Sequence, residues 1–221
     1  MTAYSGAGYE TGGMTTDTLL LAASVSIPAG SIVAELGCGA GGALLAAAGR
    51  NPGCLWIGLD IQWPLLLSAR EASMQCSSPG SFRWVQCPVE LVTSAFHEGV
   101  ADLVIANPPY AVEPACRTSP DDSRRTARSA PPMLLHRFLR GAAHLLRSGG
   151  GFVMVNRPGN LPSMLLGFGA FGIRPERLQP VGRPGSPAEL VLLTGRKGSA
   201  GSLVILPQRD AGELLDADSR C

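Results

Sequence analysis

Residues 31–42, Ser-Ile-Val-Ala-Glu-Leu-Gly-Cys-Gly-Ala-Gly-Gly, run an apolar stretch into a glycine cluster, and Ala43-Leu44-Leu45-Ala46-Ala47-Ala48 follows. The order predicts strand, tight turn and helix. Glycines let the backbone turn sharply and approach a bound nucleoside, and the helix behind them offers unpaired N–H groups at its start. Gly37, Gly39 and Gly42 match the G-x-G-x-x-G spacing of dinucleotide sites, and Asp60 lies near the distance at which an acid meets a ribose hydroxyl. The rest of the chain repeats the alternation. Strands are expected over 31–36, 54–60, 82–87, 101–106, 151–156, 177–182 and 189–195, with helices over 16–25, 43–50, 64–75, 131–146 and 161–171. Alternating elements of this kind predict an α/β fold, a Rossmann-like, seven-stranded, mostly parallel sheet with helices on both faces. Ligands in such sheets bind at the carboxyl ends of the strands, which puts residues 37–41, Asp60 and residues 107–110 at one crevice.

The fourth expected strand ends in Asn107-Pro108-Pro109-Tyr110. Two consecutive prolines donate no N–H and fix φ, so the chain leaves the ladder and its carbonyls turn outward. The Asn107 side-chain oxygen and the Pro108 carbonyl form a pair of acceptors matched to the two hydrogens of a planar –NH2 group, and Tyr110 supplies a ring to stack on a flat substrate. A base amine and a primary amide both fit. Glu35, two residues before Gly37, suits a ligand carrying a sulfonium and an ammonium and disfavours a pyrophosphate. Together these motifs favour S-adenosylmethionine over a nicotinamide dinucleotide. Candidates for holding it are Thr16, Asp17, Glu35, Gly37, Cys38, Gly39, Gly41, Asp60, Ile61 and Asn107; those for catalysis are Asn107, Pro108, Pro109 and Tyr110. Thr16 and Asp17 fit equally well as a helix N-cap pair.

These residues resemble the class I methyltransferases with an Asn-Pro-Pro-Tyr motif, and within them the bacterial adenine-N6 methyltransferases that act on valine tRNA. The resemblance extends over residues 12–207, from Gly13-x-x-Thr16-Asp17 through Asn156-Arg157-Pro158 to Leu178-Gln179-Pro180-Val181 and residues 188–193. It implies one methyltransferase domain over residues 1–221, S-adenosylmethionine as methyl donor, and transfer to an exocyclic amine of RNA. One position departs from the pattern. Pro88 stands where the family usually places an acid that holds the cofactor's adenine amine. A glutamine-N5 methyltransferase acting on protein, an rRNA or DNA methyltransferase, and a non-catalytic scaffold are the alternatives. Only about 30 residues precede Glu35, too few for the helical domain that the glutamine enzymes carry there.

The net charge of +1 hides a division along the chain. Residues 1–116 carry three arginines against nine acids, a net of −6, whereas residues 117–209 carry fourteen basic residues against four acids, a net of +10. Seventeen of the eighteen basic residues are arginine, the better fork for phosphate, which points to structured RNA, tRNA first, as partner. Arg117, Arg124, Arg125 and Arg128 lie in a long Pro- and Ser-bearing segment just after Tyr110 and are the candidates for RNA contact. No apolar run reaches the roughly 18–20 residues that span a bilayer and no basic-then-apolar leader opens the chain, so a cytoplasmic protein is expected. The six cysteines form no C-x-x-C pair and no Cys/His cluster of metal spacing, so reduced thiols and no bound metal are expected. The first dozen residues and the acidic end from residue 207 are expected to be loosely held.

Overall fold

A computed structural model describes residues 14–76, 80–109 and 131–218. Its centre is one eight-stranded sheet in the order β3-β2-β1-β4-β5-β7-β6-β8. The strands are β1 (Ile32–Leu36), β2 (Leu55–Asp60), β3 (Ser81–Gln86), β4 (Ala101–Ala106), β5 (Leu146–Asn156), β6 (Ile173–Val181), β7 (Leu190–Lys197) and β8 (Val204–Ile205). The first five pair in parallel, and β7 alone runs antiparallel, between β5 and β6. The seven expected strands are present. The eighth is a two-residue addition that pairs in parallel with β6.

Among the described residues seven helices flank the sheet: α1 (Thr16–Ala23), α2 (Gly42–Ala48), α3 (Trp63–Gln75), the single turn α4 (Val92–Ala95), α5 (Pro131–Leu145), α6 (Leu161–Ala170) and α7 (Ala211–Asp218). Two buried clusters follow from the two faces. One joins Leu36, Leu59, Phe138, Leu139, Phe152, Met164 and Phe168; the other joins Leu20, Leu21, Leu44, Trp56, Ile105 and Val155. Successive residues of the central strands feed opposite faces, as Val104 and Ile105 do, so these strands read as continuous apolar runs. Gly167 is where two helices meet, since a Cβ there would stand 2.2 Å from Leu139 Cδ1.

Three expectations are revised. The fifth strand, expected over 151–156, begins at Leu146 instead; residues 149–151 lie within it, where the register on β4 shifts between Ala101 and Leu103 and Gly149 takes φ +74°. The N-cap of α1 is Thr15, whose hydroxyl accepts from the Thr18 N–H at 3.3 Å, so Thr16 and Asp17 occupy the first turn instead. The chain beyond residue 206 is not a free end through residue 218: Arg209 bridges to Val181, and Leu214 and Leu215 of α7 pack against the Leu20–Trp56 cluster.

Candidate active site

β1 delivers the chain to the carboxyl edge of the sheet between β2 and β4. There Gly37, Gly39 and Gly41 adopt φ of +71°, +53° and +79°, a left-handed sequence that L side chains resist. The turn is fixed from beneath. The Gly37 and Cys38 N–H groups both donate to the Leu59 carbonyl (2.8 and 3.0 Å), and the Gly39 N–H donates to Asp60 Oδ2 at 2.8 Å. Asp60 Oδ1 accepts from the Gln62 N–H at 2.8 Å, so this buried carboxylate ties the turn to the start of α3. Each of its oxygens keeps a second lone pair for a ligand hydroxyl.

In front of the turn lies a cleft of about 660 Å³. Its walls come from Gly37 and Gly39, from Asp60, Ile61 and Gln62 after β2, from Cys87 to Glu90 after β3, from Asn107 and Pro109 after β4, and from Leu134 and Phe138 of α5. The volume sits within the range of small-molecule sites. Phe138 closes it, with its ring 3.2 Å from where a Cβ on Gly37 would stand.

Of the residues singled out in the sequence, Gly37, Gly39, Asp60, Ile61, Asn107 and Pro109 meet at this cleft. Pro108 is buried beside it. Others stand behind or beside it. Cys38 is not on the cleft wall; it is buried beneath the turn, its sulfur 2.8 Å from the place a Gly58 Cβ would take, and burial pushes its thiol far up. Gly41 backs onto Trp84, whose ring would stand 2.5 Å from an added Cβ. Thr16 and Asp17 lie off the cleft, where neighbouring Met14 and Thr18 pack over Gly42. Tyr110, Arg117, Arg124, Arg125 and Arg128 lie outside the described residues.

Glu35 is the electrostatic oddity of the site. It is 4% exposed, beneath the turn, and its Oε2 has no hydrogen-bond partner among the described residues. Burial holds its carboxyl well above the usual range, the nearby Asp60 charge adds to this, and the Leu44 N–H only partly offsets them.

The structure adds a residue that sequence reasoning missed. Pro88 lines the cleft as expected of the third strand's end, but the chain then makes a short 3-10 turn, Val89–Leu91, which brings Glu90 onto the same wall. Arg137 of α5 bonds Glu90 Oε1, and Arg140 Nη2 donates to the Glu90 carbonyl at 3.3 Å. The signal was an acid two residues after the departing proline. Asn156 at the end of β5 is buried, and its Oδ1 accepts from the Arg157 N–H (2.8 Å) and Asn160 Nδ2 (2.7 Å), which makes it a structural bracket for the next turn.

Sheet order, the single antiparallel β7, and an acid followed by a glycine turn facing an open cleft define a Rossmann-like class I methyltransferase. The chain belongs to the methyltransferase small domain family, whose model matches residues 9–167, and its cofactor is S-adenosylmethionine. Solved structures agree on the fold. A predicted O-methyltransferase from Agrobacterium tumefaciens is similar at 22% identity and a TM-score of 0.68, over 88% of this chain and 85% of that one. TrmN from Thermus thermophilus is similar at 21% identity and 0.61, over 82% of this chain and 48% of that one. The 16S rRNA N2 G1207 methyltransferase of T. thermophilus, solved with AdoMet and guanosine, is similar at 21% and 0.59, over 86% and 45%. The chain thus spans under half of the latter two. No curated protein sequence matches it. The residues present fit the cofactor: a positive-φ glycine turn on the cleft wall, Asp60 with spare acceptor capacity, and a buried carboxylate one of whose oxygens has no partner among the described residues.

Proposed function

We propose that this chain is a single-domain, cytoplasmic methyltransferase that modifies an exocyclic amine in structured RNA, with adenine N6 of tRNA as the acceptor. The observation that carries this reading is the shared wall: Asn107 and Pro109, at the end of β4, line the same cleft as Gly37, Gly39 and Asp60. Substrate amine and cofactor then meet without passing between sites. No helix among the described residues is long and apolar enough to cross a membrane.

When bound, the cofactor supplies an electrophilic methyl carbon on a sulfonium sulfur. Gly37 and Gly39 admit it close to the backbone, and Asp60 accepts from its ribose hydroxyls while still holding the Gly39 and Gln62 N–H groups. Ile61, 51% exposed at the cleft, gives an apolar face to the adenine ring. Glu90, steadied by Arg137, offers an acceptor to the ring amine in place of the side chain that Pro88 lacks. Glu35 acts from beneath as a negative charge that a cationic ligand stabilises.

A conjugated amine is a poor nucleophile because its lone pair is delocalised into the ring. Asn107 Oδ1 and the Pro108 carbonyl accept its two hydrogens, hold the nitrogen out of conjugation and orient the lone pair, an interaction that strengthens toward the transition state. Tyr110 stacks on the base, and the arginines at 117, 124, 125 and 128 contact phosphates. The test is transfer of a labelled methyl group from S-adenosylmethionine to a tRNA pool or to a protein fraction, each offered separately. Label in RNA supports the reading, and label confined to protein overturns it in favour of a glutamine amide.

A further inference from the structure

α3 leaves much of its apolar surface uncovered. Of its thirteen residues only Leu66 and Ala69 are buried, while Trp63, Leu67 and Met74 are 50%, 39% and 77% exposed. These three and Arg70 fall at i, i+4, i+11 and i+7, one stripe along the helix. The stripe borders a groove of about 390 Å³ against β3, the edge strand of the sheet, floored by Phe82 and Trp84 and rimmed by Arg70 and Arg83. The rings beneath are stacked, Phe82 on Trp84 at 5.7 Å, so the floor is a flat aromatic surface. Exposed Trp, Leu and Met with arginine at the margin is the composition of an interface centre.

We propose that this face pairs with the same face of a second copy of the chain, through an antiparallel α3–α3 contact about a twofold axis passing between Arg70 and Glu71. A twofold contact demands that each residue and its opposite attract in both directions. With the axis there, Leu67 of one copy faces Met74 of the other and Arg70 faces Glu71, and symmetry repeats both contacts. Arg70 and the exposed Glu71 form no ion pair among the described residues, so both charges remain for the contact. RNA is the poorer occupant: Glu71 would face its phosphates, and residues 1–116 carry a net of −6.

Sedimentation velocity on the full chain over a range of concentrations reads the result. A reversible dimer is expected, with its dissociation constant raised at least about tenfold by Leu67→Glu with Met74→Glu. Arg70→Glu and Glu71→Arg, each alone, weaken the dimer by creating like-charge contacts. The double reversal restores it to within about threefold of the parent, as expected of coupled neighbours. All four substitutions sit on exposed positions, and unchanged circular dichroism confirms the fold. A parent chain that stays monomeric to about 100 μM, well above the micromolar range of specific association, overturns the proposal. So does a dimer indifferent to these changes, or a double reversal that does not restore pairing.

Discussion

The buried carboxyl of Glu35, whose Oε2 has no hydrogen-bond partner among the described residues, makes a quantitative prediction for Glu35→Gln in the absence of cofactor. In the unfolded chain this side chain ionises near the ordinary glutamate value; in the fold, burial and the Asp60 charge hold the proton to higher pH. Between those two values the native state binds more protons than the unfolded state, so stability falls as pH rises and the loss is complete only above the folded value. The limiting slope is about 1.4 kcal/mol per pH unit. For a chain of this size each kcal/mol moves Tm by about 2–4 °C. The parent should therefore lose roughly 3–6 °C per pH unit relative to the Gln variant, starting near pH 4.5. Asp102 acts in the opposite sense: although partial burial pushes it up, the Ile32 N–H and Arg147 hold it below its usual value, so its stabilisation is lost as pH falls. Taking the difference between parent and variant at each pH removes that contribution. Differential scanning fluorimetry from pH 5 to 8 measures it. A difference in Tm that stays flat across that range would refute the assignment of a raised, buried carboxyl.

Asn107→Ala should lower methyl transfer by on the order of 10²-fold or more while cofactor affinity by calorimetry changes little, because its amide acts on the acceptor amine; a variant with more than half the parent's turnover removes it from catalysis. Glu90→Ala should weaken binding of S-adenosylhomocysteine several-fold and leave S-inosylhomocysteine, which lacks the ring amine, nearly unaffected, whereas equal losses for both ligands would assign Glu90 to anchoring the 3-10 turn alone. Gly58→Ala places a Cβ 2.4 Å from Trp84 Cζ3 and 2.8 Å from Cys38 Sγ. Overpacking of that kind costs about 1–3 kcal/mol, and an unchanged Tm would show that the layer behind the glycine turn is loosely packed.

Most of the frame was legible because it is written in period and punctuation. Apolar runs such as those at 32–34 and 103–106, soon followed by glycine or proline, mark buried parallel strands whose ends converge on one edge, and the structure brings Gly37, Asp60 and Asn107 to that edge. What escaped was set by direction. Nothing in the local pattern distinguishes Gly39, which faces the cleft, from Cys38, which is buried beside Gly58. Glu90 escaped because its place on the wall depends on a 3-10 turn and on Arg137, forty-seven residues away. The acidic end from residue 207 read as loosely held because few apolar side chains, Ala211, Leu214 and Leu215 among the described residues, attach it to α1's side of the core.

Enzymatic digestion of tRNA after reaction with S-adenosylmethionine, followed by mass spectrometry of the nucleosides, measures the central claim most directly. The account predicts N6-methyladenosine that accumulates with the parent chain and falls by on the order of 10²-fold or more with Asn107→Ala. Methyl groups found on ribose, on carbon, or only on the guanine amine would contradict the reading of the Asn107-Pro108 acceptor pair as a holder of the adenine amine.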